Sequence, residues 1–301
     1  MSIYPQPNDY HCPLCDLALV LNNKTFRCAN NHSFDQAKEG YVNLLPVQHK
    51  HSKDPGDNKD MVNARRRFLE ADYYLPLRQR LVDLYTELSN KPMVVDAGCG
   101  EGYYTHAHKT AANTVYGIDI AKNAVRIAAK KYKDCHFSVG SIAKLPFNDG
   151  VVDWLFSIYA PIKTQEFARL LNANGYLVTV TPAANHLWQL KELIYETPKP
   201  HNVEKQQLDS FELISEENLA YEMCFATHEQ ALDLLAMTPF AFKTSDSLFA
   251  QIKQQPQFKC QADFLIRIYK KLDVEIKGEI AVAADVAVDD DVDLDVSDES
   301  L

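Results

Sequence analysis

The sequence contains no apolar run close to the roughly 20 residues that a membrane-spanning helix requires. Its first ten residues are polar and interrupted by proline, so they lack the apolar core of a secretory signal. An internal repeat is also missing. These absences predict a soluble protein of the cytoplasm with no membrane partner.

The cysteines also do not form an even set, because the 301 residues include seven of them. Without a secretory signal, an odd count argues against a framework of disulfides. Three of the seven lie within the first 28 residues, and this clustering indicates metal binding instead.

An excess of positive charge is absent too, since the net charge is −10. Residues 273–301 hold eleven acids and one base, whereas residues 1–272 hold 30 bases and 30 acids. The body of the protein is therefore neutral and can carry a local basic face for nucleic acid. The tail alternates valine with aspartate, and its charge density predicts disorder.

The apolar fraction, in contrast, is large at 46%, which predicts a packed core. Short apolar segments alternate with helical patterns from residue 93 onward, as is typical of a parallel α/β sheet. Strands are predicted at residues 93–96, 114–119, 135–139, 151–158, 175–181 and 262–269. Helices are predicted at residues 122–131, 164–171, 184–195 and 228–235, and within 61–89 with a new start near Pro76.

The cysteines near the N-terminus form two close pairs of potential ligands. Cys12 and Cys15 make the first pair, and Cys28 with His32 makes the second after twelve intervening residues. Two such pairs can converge on one tetrahedral Zn²⁺, and four protein ligands leave no open position for catalysis. We therefore predict a structural zinc site, with the adjacent His11 at the surface.

A glycine-rich loop follows the first predicted strand of the sheet. Asp96 precedes Gly98 and Gly100, a third glycine stands at position 102, and Asp119 ends the next strand. Glycines allow a close backbone approach to a ligand, and Asp119 can accept hydrogen bonds from both ribose hydroxyls. The G-x-G-x-G spacing and Asp96 favour S-adenosylmethionine over NAD.

Several further segments match one family. These are residues 34–45 (FDQAKEGYVNLL), 54–57 (DPGD), 64–66 (ARR) with 68–69 (FL), 100–106 (GEGYYTH), 158–161 (IYAP) and 237–240 (MTPF). From about residue 12 to residue 270 the chain resembles the ribosomal 23S RNA guanine-N1 methyltransferases. It resembles the Gram-negative branch more than the macrolide-resistance branch, which modifies a neighbouring guanine.

The resemblance implies a class I methyltransferase with a Rossmann-like, mostly parallel seven-stranded sheet. It also implies a zinc-binding RNA-recognition domain (residues 1–46), a helical linker (47–90), the methyltransferase domain (91–272) and the acidic tail (273–301). The expected partners are 23S rRNA and a second copy of the chain. S-adenosylmethionine is the expected methyl donor, and Zn²⁺ is structural.

The resemblance adds cofactor contacts that spacing alone does not reveal, at Tyr74, Tyr104, Thr105 and His186. Tyr74 could instead be a core residue, and His186 a surface residue at a helix start. One position departs from the class: Ser141 stands where an acid usually contacts the adenine amino group, which leaves the adenine contacts open.

Guanine N1 must lose a proton to become a good nucleophile, so a general base is desirable. The candidates near the expected site are Tyr159 and His186, and Tyr159 also suits an aromatic platform for a flipped base. The sequence does not decide between them. Two rival functions remain: methylation of a small molecule such as a quinone precursor, and a non-catalytic RNA-binding zinc protein.

A basic segment lies between the two modules. It contains Arg65, Arg66 and Arg67, with Lys50 and Lys53 shortly before them. This segment can contact RNA phosphates, or it can be an ordinary solvated helix face.

Overall fold

The computed structural model describes residues 9–46, 59–89, 92–203, 207–243 and 246–272. The acidic tail predicted to be disordered, and the two lysines Lys50 and Lys53, lie outside these residues. No helix in the described ranges combines the length and the apolar character needed to cross a membrane.

The N-terminal unit is a small antiparallel sheet. Its strands are β1 (Val20–Asn22), β2 (Thr25–Arg27) and β3 (Ser33–Asp35). Asn23 and Lys24 connect the first two strands with φ values of 46° and 72°, the left-handed pair that tight hairpins require. After this sheet the chain continues into β4 (Val42–Asn43), which belongs to a different sheet.

The main sheet has eight strands in the order β10-β11-β9-β8-β5-β6-β7-β4. Its remaining strands are β5 (Met93–Ala97), β6 (Thr114–Asp119), β7 (His136–Val139), β8 (Val152–Ile158), β9 (Leu171–Pro182), β10 (Phe211–Cys224) and β11 (Lys259–Lys271). The pairings from β4 to β9 are parallel, and both pairings of β11 are antiparallel. The predicted mostly parallel sheet is confirmed, with the short β4 of the N-terminal unit as an eighth strand.

Helices cover both faces of this sheet. They are α1 (Lys59–Glu70), α2 (Leu75–Leu88), α3 (Tyr103–Ala107), α4 (Lys122–Lys131), α5 (Thr164–Leu170), α6 (Trp188–Ile194), α7 (His228–Ala236) and α8 (Asp246–Gln254), with a 3-10 turn at Pro239–Lys243. The predicted interruption near Pro76 is confirmed, since Pro76 lies in the first turn of α2, where its missing N–H costs no helical hydrogen bond.

Several elements differ from the sequence prediction, among them β4 and α8, which were not predicted. Strand β10 was not predicted, because it is a mostly exposed edge strand in which acidic side chains are interspersed among apolar ones without an alternating apolar pattern. The helix predicted at residues 184–195 begins only at Trp188, because Leu187 has a left-handed φ of 56° that a helix cannot contain.

The N-terminal unit shares a hydrophobic core with the main sheet. Tyr10 is buried, and its ring packs on Phe147 and Tyr116 at centroid distances of 5.5 and 5.3 Å. The His11 backbone N–H donates to the Pro146 carbonyl at 2.8 Å, and β4 pairs with β7. The zinc-binding unit is therefore held against one edge of the sheet by apolar contacts and backbone hydrogen bonds.

Candidate cofactor edge and zinc site

The four predicted zinc ligands converge in the structure. The Cys12 and Cys28 sulfurs lie 3.4 and 3.5 Å from Nδ1 of His32, and the Cys15 sulfur lies 3.6 Å from that of Cys28. All four ligand atoms lie within 4.8 Å of one another. Bond lengths of about 2.0–2.3 Å in a tetrahedral zinc site place ligand atoms roughly 3.5 Å apart, so the donor set fits Zn²⁺.

Tight turns create this convergence. The N–H of Asp16 donates to the Cys12 carbonyl, and that of Asn31 donates to the Cys28 carbonyl, which folds each ligand pair into a knuckle. Both donors have left-handed backbones, with φ near 60°. His11 is not a ligand, since its Nδ1 bonds the Asp16 carbonyl at 2.7 Å, as expected for a residue outside the cluster.

The predicted cofactor residues gather at a second location, the carboxyl edge of the parallel strands. Strands β5, β6, β8 and β9 are neighbours and run in the same direction, so their C-terminal ends lie side by side. The chain order reverses between β5 and β8, and α/β proteins bind ligands at such a switch point.

The glycine loop after β5 has the geometry of a ligand cradle. Gly98 has a φ of 89°, and a Cβ there would lie 2.5 Å from the Cβ of Ala160, so only glycine fits between β5 and β8. Gly100 has a φ of 52°, and a Cβ there would meet no atom within 4 Å. The backbone at Gly100 is therefore open to the close approach of a ligand.

Asp96, at the end of β5, is a buried carboxylate with a defined partner. The Thr105 hydroxyl donates to it at 2.6 Å. Burial, and secondarily the charge of Asp119, raise the pKa of Asp96 to about 8, although the bond from Thr105 opposes the shift. A nearby ligand cation would compensate for the burial of this charge.

Asp119, at the end of β6, is oriented by the backbone. One of its carboxylate oxygens accepts the Gly100 N–H at 2.9 Å, and the other accepts the Ala121 N–H at 2.7 Å. This fixed orientation suits recognition of a ribose.

Tyr74, Tyr159 and His186 meet near the ends of β8 and β9. Nε2 of His186 lies 3.3 Å from the Tyr74 hydroxyl and 3.1 Å from the Tyr159 hydroxyl. His186 is only 4% exposed, so its alternative interpretation as a surface residue is wrong. Burial, the largest of several causes, lowers the pKa of His186 to about 3, which keeps its ring neutral.

Tyr104 completes the aromatic group. Its hydroxyl is buried and has no hydrogen-bond partner among the described residues. Such an orphaned donor is costly unless a ligand satisfies it. Together with the open backbone at Gly100 and the buried acid Asp96, it makes the edge fit a polar, cationic cofactor such as S-adenosylmethionine.

Sequence reasoning missed the residues that support His186. The Asp263 backbone N–H donates to Nδ1 of His186 at 3.1 Å, and Nε2 of His201 lies 3.2 Å from the His186 carbonyl. The Asp263 carboxylate in turn accepts the Asn185 N–H at 2.8 Å. Asp263 lies on β11, which pairs with β9 only in the folded sheet, so no local pattern indicates these contacts.

The three arginines of α1 have separate environments. The Arg67 guanidinium donates hydrogen bonds to the Asp233 carboxylate of α7. Arg65 donates to the Met237 carbonyl at 3.5 Å. No hydrogen bond or ion pair joins Arg66 to another side chain in the described ranges. Arg65 and Arg67 therefore connect α1 to the α7 region, and phosphate contact by the segment stays a prediction.

Each of the two parts of the molecule matches a known protein family. The zinc-ribbon family described as "RlmA, N-terminal" matches residues 10–53, and the family described as "Methyltransferase domain" matches residues 88–257. The second match covers more than half of the chain, and it confirms the class I methyltransferase fold.

Relatives extend the match across both parts. The 23S rRNA (guanine(748)-N(1))-methyltransferase of Streptomyces fradiae is 30% identical over 256 residues, which cover 81% of this chain and 90% of that protein. The chain belongs to the 23S rRNA guanine-N1 methyltransferase family. YxjB of Bacillus subtilis, whose name provisionally gives the same reaction, is 28% identical over 87% of this chain and 97% of its own length.

Methyltransferases with other substrates match a smaller part of the chain. The malonyl-[acyl-carrier protein] O-methyltransferase of Serratia marcescens is 27% identical over 104 residues, or 32% of this chain. A match of this length does not span both the zinc unit and the complete sheet. It leaves the small-molecule alternative with less support than the ribosomal one.

Proposed function

We propose that this protein transfers the methyl group of S-adenosylmethionine to N1 of a guanine in a hairpin of 23S rRNA. The observation that carries the proposal is the 30% identity to an rRNA guanine-N1 methyltransferase over 90% of that protein's length. The proposed division is a zinc-binding RNA-recognition unit (residues 1–46), a helical linker (47–90), the methyltransferase domain (91–272) and the tail (273–301).

The proposed zinc ligands are Cys12, Cys15, Cys28 and His32, whose donor atoms already lie at ligand spacing. The set is complete without an open position, so the ion serves structure rather than chemistry. Because the unit is anchored to β7 through β4, it presents a fixed surface to RNA beside the sheet.

The proposed cofactor residues are Tyr74, Asp96, Gly98, Gly100, Tyr104, Thr105, Asp119 and His186. When bound, S-adenosylmethionine supplies an electrophilic methyl group on a sulfonium. Asp96 would attract the cationic end of the cofactor, and Asp119 would accept from its ribose hydroxyls. Thr105 and the backbone amides keep these two carboxylates in place, so little reorganisation is needed on binding.

The proposed phosphate surface lies on α4 and α1. Lys122, Arg126 and Lys130 are exposed at four-residue intervals, so they share one face of α4. None of them forms an ion pair with another described residue. Lys133 bonds the Glu39 carbonyl at 2.7 Å and so brings the end of α4 against the zinc unit. This cationic face, with Arg66 nearby on α1, suits phosphate contacts.

Mapping of methylated guanines tests the proposal. Ribosomal RNA from a strain without the protein should lose one N1-methylguanine in 23S rRNA, and the purified protein with S-adenosylmethionine should restore it. The mapped position identifies the branch of the family, for which we propose the Gram-negative one. Unchanged RNA together with methylation of a small molecule would contradict the proposal.

The proposal also includes a homodimer that works in the cytoplasm, where ribosomal RNA would be its substrate. Sedimentation of the purified protein over a range of concentrations tests the dimer. A monomer at every concentration would remove that part of the proposal and leave the reaction unaffected.

A further inference from the structure

The hydrogen bonds of His186 determine which of its nitrogens carries the proton. Nδ1 faces the backbone N–H of Asp263 at 3.1 Å, so it must act as an acceptor. A neutral imidazole that accepts at Nδ1 carries its hydrogen on Nε2. The ring is held neutral by burial, so Nε2 is a donor and has no lone pair with which to take a proton.

The Nε2–H of His186 points toward two phenol oxygens, those of Tyr159 at 3.1 Å and Tyr74 at 3.3 Å. A tyrosine hydroxyl that accepts a hydrogen bond still has its own hydrogen to donate. No described residue accepts the hydroxyl hydrogen of Tyr159. This donor is therefore oriented by the protein and available to a ligand.

Tyr159 also occupies a conformation that places it at the site. It follows β8 directly and has a left-handed φ of 55°, which is uncommon for a bulky residue. Its side chain is 45% exposed although its hydroxyl contacts the buried His186. The exposed part is therefore not the hydroxyl end, and desolvation of the hydroxyl, with the nearby tyrosines Tyr74 and Tyr104, raises the pKa of Tyr159 well above its ordinary value, so it remains a donor at neutral pH.

Guanine needs such a donor when N1 reacts. As the N1 proton is lost, the negative charge that develops is shared with the carbonyl oxygen O6. A fixed donor at O6 stabilises that charge, so N1 is deprotonated more readily and a larger fraction of the bound guanine is in the reactive anionic form. The hydrogen of the donor is shared but not transferred.

We infer that Tyr159 donates its hydroxyl hydrogen to O6 of the target guanine, and that His186, held by Asp263, is the positioning residue for that hydroxyl. The inference rests on the proposed function. The N1–C bond forms while the C–S bond of the sulfonium breaks, and that electron pair remains on sulfur. The N1 proton passes to water, and Tyr159 keeps its own proton throughout.

The replacement Tyr159→Phe separates this role from that of an aromatic platform, because it keeps the ring and removes only the hydroxyl. We expect kcat to fall by roughly a hundredfold, as for loss of one donor at a developing charge. The RNA KM and the cofactor affinity should change by less than about threefold, because the O6 interaction strengthens mainly in the transition state. Tyr132→Phe at the far end of α4 is the matched control and should leave kcat unchanged.

The pH dependence provides a readout that a structural role would not change. A donor at O6 lowers the pKa of N1–H in the bound guanine, so its removal should raise the apparent pKa of the kcat profile. The deficit of Tyr159→Phe should therefore shrink as the pH rises. A kcat within twofold of wild type at every pH would overturn the inference.

His186 can be tested independently if Tyr159→Phe loses stability. His186→Gln can still donate an N–H near the position of Nε2, whereas His186→Leu cannot. We expect the glutamine variant to retain at least tenfold more kcat than the leucine variant, and equal rates would overturn the positioning role. If the wild-type protein does not methylate guanine N1 in 23S rRNA, the proposed function fails. If it does and the variants behave as wild type, only this inference fails.

Discussion

The zinc site and the cofactor edge are assembled in opposite ways. The zinc ligands lie between Cys12 and His32, and two local knuckles bring them together. The cofactor edge collects residues from Tyr74 to His186, which meet only because β5, β6, β8 and β9 end side by side. A short spacing can therefore specify a metal site, whereas a cofactor edge depends on the order of strands in a sheet.

The zinc unit and the methyltransferase sheet are nevertheless in direct contact. Tyr10 lies beside the zinc ligands in sequence, and it packs between Phe26 of the zinc unit and Phe147 near the sheet. Leu44, next to β4, donates its N–H to the Val139 carbonyl at the end of β7. Damage to the zinc site should consequently lower the stability of the methyltransferase sheet.

The largest effect is expected from Cys28→Ser. Loss of one thiolate should abolish stoichiometric zinc binding, because four ligands are needed to order so small a unit. Since the core is shared, we expect the free energy of unfolding of the whole chain to fall by at least about 3 kcal/mol. Metal analysis and thermal unfolding measure the two effects.

Cys224→Ser is the matched control for this prediction, because Cys224 is exposed and remote from the ligands. It should leave zinc content and stability unchanged. If Cys28→Ser lost zinc but the sheet unfolded at the wild-type temperature, the stability of the sheet would not depend on the zinc unit. Freshly purified protein without zinc would instead contradict the metal site itself.

The second prediction concerns the cofactor edge alone. Gly100→Val places a β-branched side chain at a φ of 52° and in the open space above the loop. We expect S-adenosylmethionine affinity to fall by at least a hundredfold, while zinc content stays at one ion per chain. Asp119→Ala should cost about 1–3 kcal/mol of binding free energy, the scale for hydrogen bonds to a charged group. Calorimetry that gave wild-type affinities for both variants would refute the cofactor site.

The third prediction concerns Asp96, whose pKa is raised to about 8. Below that pH the neutral acid attracts a cation poorly, so cofactor affinity should increase by up to about tenfold per pH unit as the pH rises toward 8. Without ligand, the folded protein keeps a proton on Asp96 that the unfolded chain releases near pH 4. The free energy of unfolding should therefore fall as the pH rises from about 4 to about 8. Asp96→Asn should remove both slopes, and an unchanged affinity slope would exclude Asp96 as their source.

The smallest effects separate the neighbouring arginines. Arg67→Ala breaks the pair with Asp233 and should lower the free energy of unfolding by about 0.5–1 kcal/mol without changing RNA affinity. Arg66→Ala combined with Arg126→Ala should weaken RNA binding and reduce its salt slope by about 2, one for each lost phosphate contact. The opposite result, with RNA affinity sensitive only to Arg67, would place the phosphate surface elsewhere on α1.

Most strands and helices could be predicted because their signals are local. The predicted strand at residues 114–119 and helix at residues 122–131 have the bounds found in the structure, since apolar runs and helical periodicity reveal them directly. β4 and β10 could not be predicted for different physical reasons. β4 has only two residues, and β10 lies at an exposed edge where acidic residues are tolerated.

The sequence by itself was enough to predict the cluster of Cys12, Cys15, Cys28 and His32, the glycine loop and the positions of Asp96 and Asp119 at strand ends, because each is defined by neighbours a few residues away or by a motif. Tertiary structure alone decided the protonated nitrogen of His186 and the environments of Arg65 and Arg67. Their partners, Asp263 for the histidine and residues 233 and 237 for the arginines, lie between 77 and 172 positions away along the chain. Hydrogen bonds act over about 3 Å in space, so a residue's chemistry depends on which distant strand or helix folds against it.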